Sequence, residues 1–271
     1  MTNQKFQIIA DDFAMSKGVS VAILELCNQK LLSGVSIMPT AGFYQDYLEE
    51  LKQQKVNNIK FGLHLDLTFG QAQYQNRNQL IVDEKGVFKN SFFKIFLLSF
   101  IKRKALVRVF YREINQQLKI LTKDLGKLDY IDGHQHIHTV PLVFKITQKL
   151  AKKYQIPRLR IINESFFSSV NLHNFPSPIA IIKFLVLKFC YLFNRAKTDF
   201  YFFSILYSCK IDQKAVAKIA RLKKDNLEIM VHPGYSNIDR DDISNREYSH
   251  LTSQYRDIER QQIIALAELA R

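Results

Sequence analysis

Several residues of the chain have types and spacings suited to holding a metal ion with a proton donor beside it. Asp11 and Asp12 stand side by side at the end of the apolar run FQIIAD (6–11). Two adjacent carboxylates in such a place repel each other and cost desolvation, and a bound cation removes that penalty. The competing role is a helix N-cap, which suits one of the pair, Asp12, better than both. DGHQHIH places Asp132, His134, His136 and His138 at every second position, so an extended chain would turn them to one face. Imidazole suits zinc and other divalent ions. An aspartate with two histidines leaves coordination positions open for water and substrate. His64, in GLHLDL, is taken alone an ordinary hydrogen-bonded histidine more often than a ligand. Asp132 is suited to orient an imidazole from behind. His232 is followed by Pro-Gly, a turn that fixes the chain after it. A histidine there can act as a general acid if its pKa stays near neutrality, or it can merely cap the turn.

These residues need elements that bring them together. Short β-rich runs at 6–11, 34–39, 60–67, 127–136, 158–162 and 226–234 alternate with helical patterns at about 44–54, 93–124, 141–154, 212–224 and 252–271. The first helix is marked by Val21, Ile23, Leu24, Cys27 and Leu31. A break is expected near Lys102–Lys104, a long polar loop over 68–92, and a strand or loop over 199–205. Strands alternating with helices predict an α/β fold with a parallel sheet, and the number of units favours barrel-like closure. Asp11, Asp12, His64, the histidine cluster and His232 all fall at carboxyl ends of predicted strands. In parallel sheets those ends open on one face, the face that carries active sites. Residues far apart in sequence are therefore expected to converge.

Four stretches carry a resemblance: ADDFAMSKGV (10–19), GLHLDLTFG (62–70), DYIDGHQHIH (129–138) and EIMVHPGY (228–235). In order and spacing they resemble the motifs of the YdjC/ChbG/HpnK family of carbohydrate deacetylases. The resemblance implies an irregular (β/α) barrel, TIM-barrel-like and related to polysaccharide deacetylases, as a single domain over 1–271. It implies removal of N-acetyl groups from amino sugars with one divalent metal ion. Carried over position by position, Asp12, His64 and His134 become the metal ligands, Asp11 the base and His232 the acid. His136 and His138 match histidines lining the site. Apart from the resemblance, Arg158 and Arg160 are the arginines at a predicted strand that could clamp a phosphate, and Arg160 is instead a candidate to position a sugar. The chain departs from the family at Ala14, where glycine is usual, and at Gly133, where serine is frequent. It also stops at Arg271, where family members often add a short final strand.

Zinc, magnesium, cobalt and manganese all suit two nitrogen donors and one oxygen, with magnesium or zinc preferred here. The rival readings are hydrolysis of another bond, such as a phosphoester, and a non-catalytic sugar- or membrane-binding relative on the same scaffold.

Composition limits the rest. The chain has 271 residues, 47% hydrophobic and 24% charged, which is globular composition. Its three widely spaced cysteines (Cys27, Cys190, Cys209) form no disulfide framework and no CxxC pair, and they suit a reducing compartment. No leader pattern and no uninterrupted apolar span are visible, so the expected location is the cytoplasm. A net charge of +14 implies an anionic partner. No nucleic-acid motif is present, so no nucleic-acid partner is expected. The segments 91–112 and 179–197, read as basic apolar helical insertions, have instead the pattern of helices lying on anionic lipid. They would place the protein at the inner face of a membrane, facing a lipid-linked sugar. The competing reading is ordinary core-packed helices with solvated charges. A homodimer is compatible with either.

Overall fold

The computed structural model describes residues 5–54, 58–74, 78–166, 178–222, 224, 226–241 and 250–269. Parts of the expected 68–92 loop and of the 212–224 helix, and the last residues of the final helix, lie outside them. The strands are β1 (Lys5–Phe13), β2 (Gly34–Ile37), β3 (Lys60–Leu65), β4 (Tyr130–Gly133), β5 (Arg158–Leu159), β6 (Tyr201–Phe203) and β7 (Asn226–Val231). The helices are α1 (Lys17–Asn28), α2 (Tyr44–Gln53), α3 (Phe92–Ile101), α4 (Arg103–Leu125), α5 (Pro141–Lys153), α6 (Pro178–Asn194), α7 (Gln213–Ile219), α8 (Ser236–Asp241) and α9 (Gln254–Leu269).

The strands form one parallel sheet in the order β5-β4-β3-β2-β1-β7-β6. β2 and β4 are buried along their whole length, as expected of parallel strands covered on both faces. The close approach of β3 and β4 needs a glycine: a Cβ on Gly62 would lie 2.2 Å from the Tyr130 ring.

The sheet curls until its two edges face each other, and side chains bridge the seam. The Asn163 amide donates to the Phe200 carbonyl at 2.9 Å, and the Phe202 N–H donates to the Asn163 carboxamide oxygen at 2.8 Å. One carboxamide thus offers β6 the donor and acceptor that a neighbouring strand would. The Ser165 N–H donates to the Tyr201 hydroxyl at 2.9 Å, and the Ile205 N–H to Glu164 Oε2 at 2.7 Å. This is the irregular barrel expected from the sequence, closed by side chains instead of a backbone ladder.

The structure departs from the expected elements at three places. The long helix breaks at Lys102, as expected, into α3 and α4. The 68–92 region is not purely loop: Gln71 pairs with Val87, and Val82 with Phe88, in antiparallel bridges. The strand expected over 127–136 ends at Gly133, and His134–Thr139 form a tight 3-10 turn. Gln135 (φ 51°) and His136 (φ 64°) are left-handed there, so the period-two argument for the histidine cluster fails. A strand cannot contain two such residues in succession.

Candidate active site

Adjacent residues on a strand point to opposite faces, yet Asp11 and Asp12 both line one cavity. A β-bulge explains this. In the β1–β2 pairing Ala10 lies opposite Val35 and Phe13 opposite Ile37, so three steps on β1 match two on β2. Asp12 takes φ 68° within the bulge and Ala14 takes φ 78° just after it. Bulges beside active sites re-aim side chains in this way. Ala14 therefore occupies a left-handed position that favours glycine, where an alanine is strained by about 1 kcal/mol. Asp12 is not the helix cap. Ser16 caps α1, accepting from the Val19 N–H at 3.3 Å.

The cavity, of about 170 Å³, lies at the carboxyl ends of the strands. His64 Nδ1 meets Asp132 Oδ1 at 2.7 Å, and its Nε2 faces Asp12 Oδ1 at 3.4 Å. His134 Nδ1 lies 3.0 Å from the same Asp12 oxygen. Arg256 of α9 holds the other oxygen, Asp12 Oδ2, at 3.0 Å. Candidate ligand atoms of Asp12, His64 and His134 thus fall within 4.8 Å of one another. A second group, Asp11, His64 and Asp132, meets the same limit, but its cation is already there. Arg160 Nη1 is 2.6 Å from Asp11 Oδ2 and 2.8 Å from Asp132 Oδ2. The Asp12 group meets a guanidinium too, that of Arg256, but only through Oδ2, so Oδ1 and the two imidazoles remain the donors that could hold a divalent ion. Asp132 stands behind His64, with Oδ1 at 2.7 Å from Nδ1.

The titration pattern follows from these contacts. Burial opposes the charged forms of Asp12 and His64. Hydrogen bonds from His134 and His64 outweigh it for Asp12, whose carboxyl is held well below the usual range. The carboxylates of Asp132 and Asp11 outweigh it for His64, raised to about 10. Burial raises Asp11 despite Arg160. His232 resists burial through the Cys209 thiol and Glu259 beside it and is raised well above its ordinary value. The backbone N–H of His232 donates to Glu259 Oε1 at 2.6 Å, and its ring Nδ1 lies 3.7 Å from the same oxygen.

The remaining expected residues divide. His136 lines the cavity, and its Nδ1 has no hydrogen-bond partner among the described residues. His138 faces away, with Nε2 at 3.1 Å from the Arg160 carbonyl. Arg160 is not placed to touch a sugar. It is buried, and its guanidinium is spent on Asp11, Asp132 and, through Nε at 2.5 Å, Glu228. Asp66, on the same strand parity as His64, instead closes a turn by accepting from the Thr68 N–H at 2.7 Å.

Sequence reasoning missed Arg256, Glu259, Cys209 and Lys183, all at or beside the cavity. Arg256 and Glu259 sit three residues apart on α9 and are both buried. That spacing on an otherwise amphipathic helix was the available signal, since paired charges on a buried face mark a constraint.

Comparison with known proteins bears on the family and the fold. A family model described as YdjC-like protein matches residues 5–262. A carbohydrate deacetylase of Enterococcus faecalis is 27% identical over 163 residues, covering 58% of each chain. One of Clostridium beijerinckii is 24% identical over 246 residues, covering 89% of this chain and 85% of its own. The match thus spans little more than half the length of the first relative. A solved Enterococcus faecalis structure, named for cellobiose-phosphate cleavage, superposes with a TM-score of 0.61 at 21% identity, covering 98% of this chain and 95% of that one. That likeness establishes the fold.

Proposed function

The chain belongs to the YdjC-like protein family, and on that premise we propose that it is a metal-dependent carbohydrate N-deacetylase, releasing acetate from an acetylated amino sugar. The observation that carries the reading is the convergence of Asp12, His64 and His134 donors within 4.8 Å, in a cavity that Asp11 and His232 also line. The relatives' shared name, carbohydrate deacetylase, supports the substrate class.

A divalent ion bound by Asp12, His64 and His134 would supply Lewis acidity and a lowered water pKa. The chain's own groups do the rest. Asp132 fixes Nδ1 of His64, so Nε2 is the nitrogen offered inward. Arg256 fixes Oδ2 of Asp12 and leaves Oδ1 to the imidazole side. Asp11, with both oxygens anchored by Arg160, accepts the proton of the attacking water, and burial strengthens it as a base. His232, protonated, gives a proton to the departing amine. Water and amide become acetate and a free amino sugar. Arg160 acts through Asp11 without touching the substrate.

The test is His134→Ala. Bound metal, read by elemental analysis, and acetate release from N-acetylglucosamine oligomers should disappear together. A variant with full activity would end the ligand assignment.

A further inference from the structure

The two basic apolar segments form one surface. On α3, Leu97, Phe100 and Ile101 are exposed, and on α6, Ile182, Leu185 and Phe189 are exposed. Rings join the two helices: Phe100 meets Phe96 at 5.1 Å, and Phe96 meets Phe189 at 6.2 Å between centroids. Large exposed apolar patches of this kind mark contact surfaces. The charged residues of the two segments have one sign. Residues 91–112 contain Lys94, Lys102, Arg103, Lys104, Arg108 and Arg112 and no acidic residue. Residues 178–198 contain Lys183, Lys188, Arg195 and Lys197, again with no acidic residue. A second copy of this chain would bring the same positive charge against itself, whereas an anionic lipid surface complements it. No helix among the described residues is long and apolar enough to cross a membrane. The pattern is that of helices lying in the headgroup plane.

The surface is also tied to the active site. Lys183 of α6 lines the cavity, while Ile182 and Leu185 of the same helix face out. The Asn194 amide at the end of α6 donates to the Thr139 carbonyl at 2.7 Å, anchoring the helix to the turn that carries His134 and His136. We propose that α3 and α6 seat the protein on an anionic bilayer, and that α6 brings the cavity to an acetylated amino sugar carried on a membrane lipid. The second half rests on the deacetylase reading, and the first does not.

The experiment uses the full chain with vesicles of phosphatidylcholine alone or mixed with phosphatidylglycerol, followed by flotation. Wild type should float with the anionic vesicles, less so at high salt. The double variant Leu97→Glu and Leu185→Glu, altered only at exposed positions, should lose about tenfold or more in vesicle affinity. It should still release acetate from soluble N-acetylglucosamine oligomers at the wild-type rate. On an acetylated amino-sugar lipid in anionic vesicles its rate should fall with its binding. Failure of wild type to float with anionic vesicles overturns the surface assignment. So does a wild-type dimer that the double substitution converts to monomer. Flotation without acetate release from either substrate overturns the deacetylase reading and leaves the surface standing. Release from the soluble substrate but not the lipid-borne one overturns the substrate half alone.

Discussion

Arg160→Met is the most informative single perturbation of the site. In the wild type the guanidinium is fully buried and contacts Asp11 at 2.6 and 2.9 Å, Asp132 at 2.8 Å and Glu228 at 2.5 Å. Methionine keeps much of the volume but removes the one positive charge that Asp11, Asp132 and Glu228 share; Arg158 still reaches Glu228. A pair of unit charges near 4 Å is worth about 4 kcal/mol at an effective dielectric of about 20, and removing one partner of a buried pair costs about 3–5 kcal/mol net. That is a large share of the about 5–15 kcal/mol that stabilises a typical domain. The loss depends on pH with a definite sign. Burial already raises the Asp11 carboxyl, and without Arg160 it rises further above its unfolded value, while Asp132 loses the largest of the contacts that hold it low. A carboxyl so raised does not weaken the fold below the unfolded pKa, and it weakens it progressively as pH rises through the folded pKa. The deficit between variant and wild type, read by urea unfolding, should therefore be larger at pH 7 than at pH 5. Arg160→Lys, which keeps the charge, should recover part of it. A deficit below about 1 kcal/mol, or one that does not change with pH, would refute the reasoning.

Asp132→Asn leaves His64 Nδ1 without its carboxylate, and metal affinity should fall about 10–100-fold by competition titration with the fold intact. His232→Asn should lower kcat about 100- to 10,000-fold while bound metal stays at the wild-type level, which separates the proton donor from the ligands. Burial pulls the His138 imidazole down to about 4, so its contribution to stability is complete above the unfolded value near 6.5 and is lost as pH falls toward 4. That contribution is at most about 3 kcal/mol, and His138→Gln should flatten the stability–pH curve in this window; an unchanged slope would contradict the assignment.

Much of this was legible in the sequence, because strand ends in a parallel sheet share a face and the chemistry-bearing residues sat at those ends. The alternation of strands and helices gave the sheet, and Lys102 marked the helix break. What the sequence did not show was backbone geometry that departs from period two. The bulge that lets Asp11 and Asp12 face the same cavity leaves no sign beyond their adjacency. The left-handed Gln135 and His136 turn His138 away from the cavity and bring His134 to Asp12. Arg160 had the position of a sugar-contacting residue, but the carboxylates it balances come from β1, β4 and β7, which no local pattern connects. Arg256 was hidden for the same reason: its partner Asp12 lies 244 residues away. The closure of the barrel depends on Asn163 imitating a strand, which no strand propensity encodes.

The central claim is that this cavity hydrolyses an acetylated amino sugar with a divalent ion held by Asp12, His64 and His134. The most direct test is acetate release from N-acetylglucosamine oligomers by protein stripped of metal and then resupplied with zinc, cobalt, magnesium or manganese. Release that vanishes on stripping and returns with at least one of these ions is the predicted result. Release that persists undiminished in the stripped protein, with metal content confirmed at zero, would contradict it.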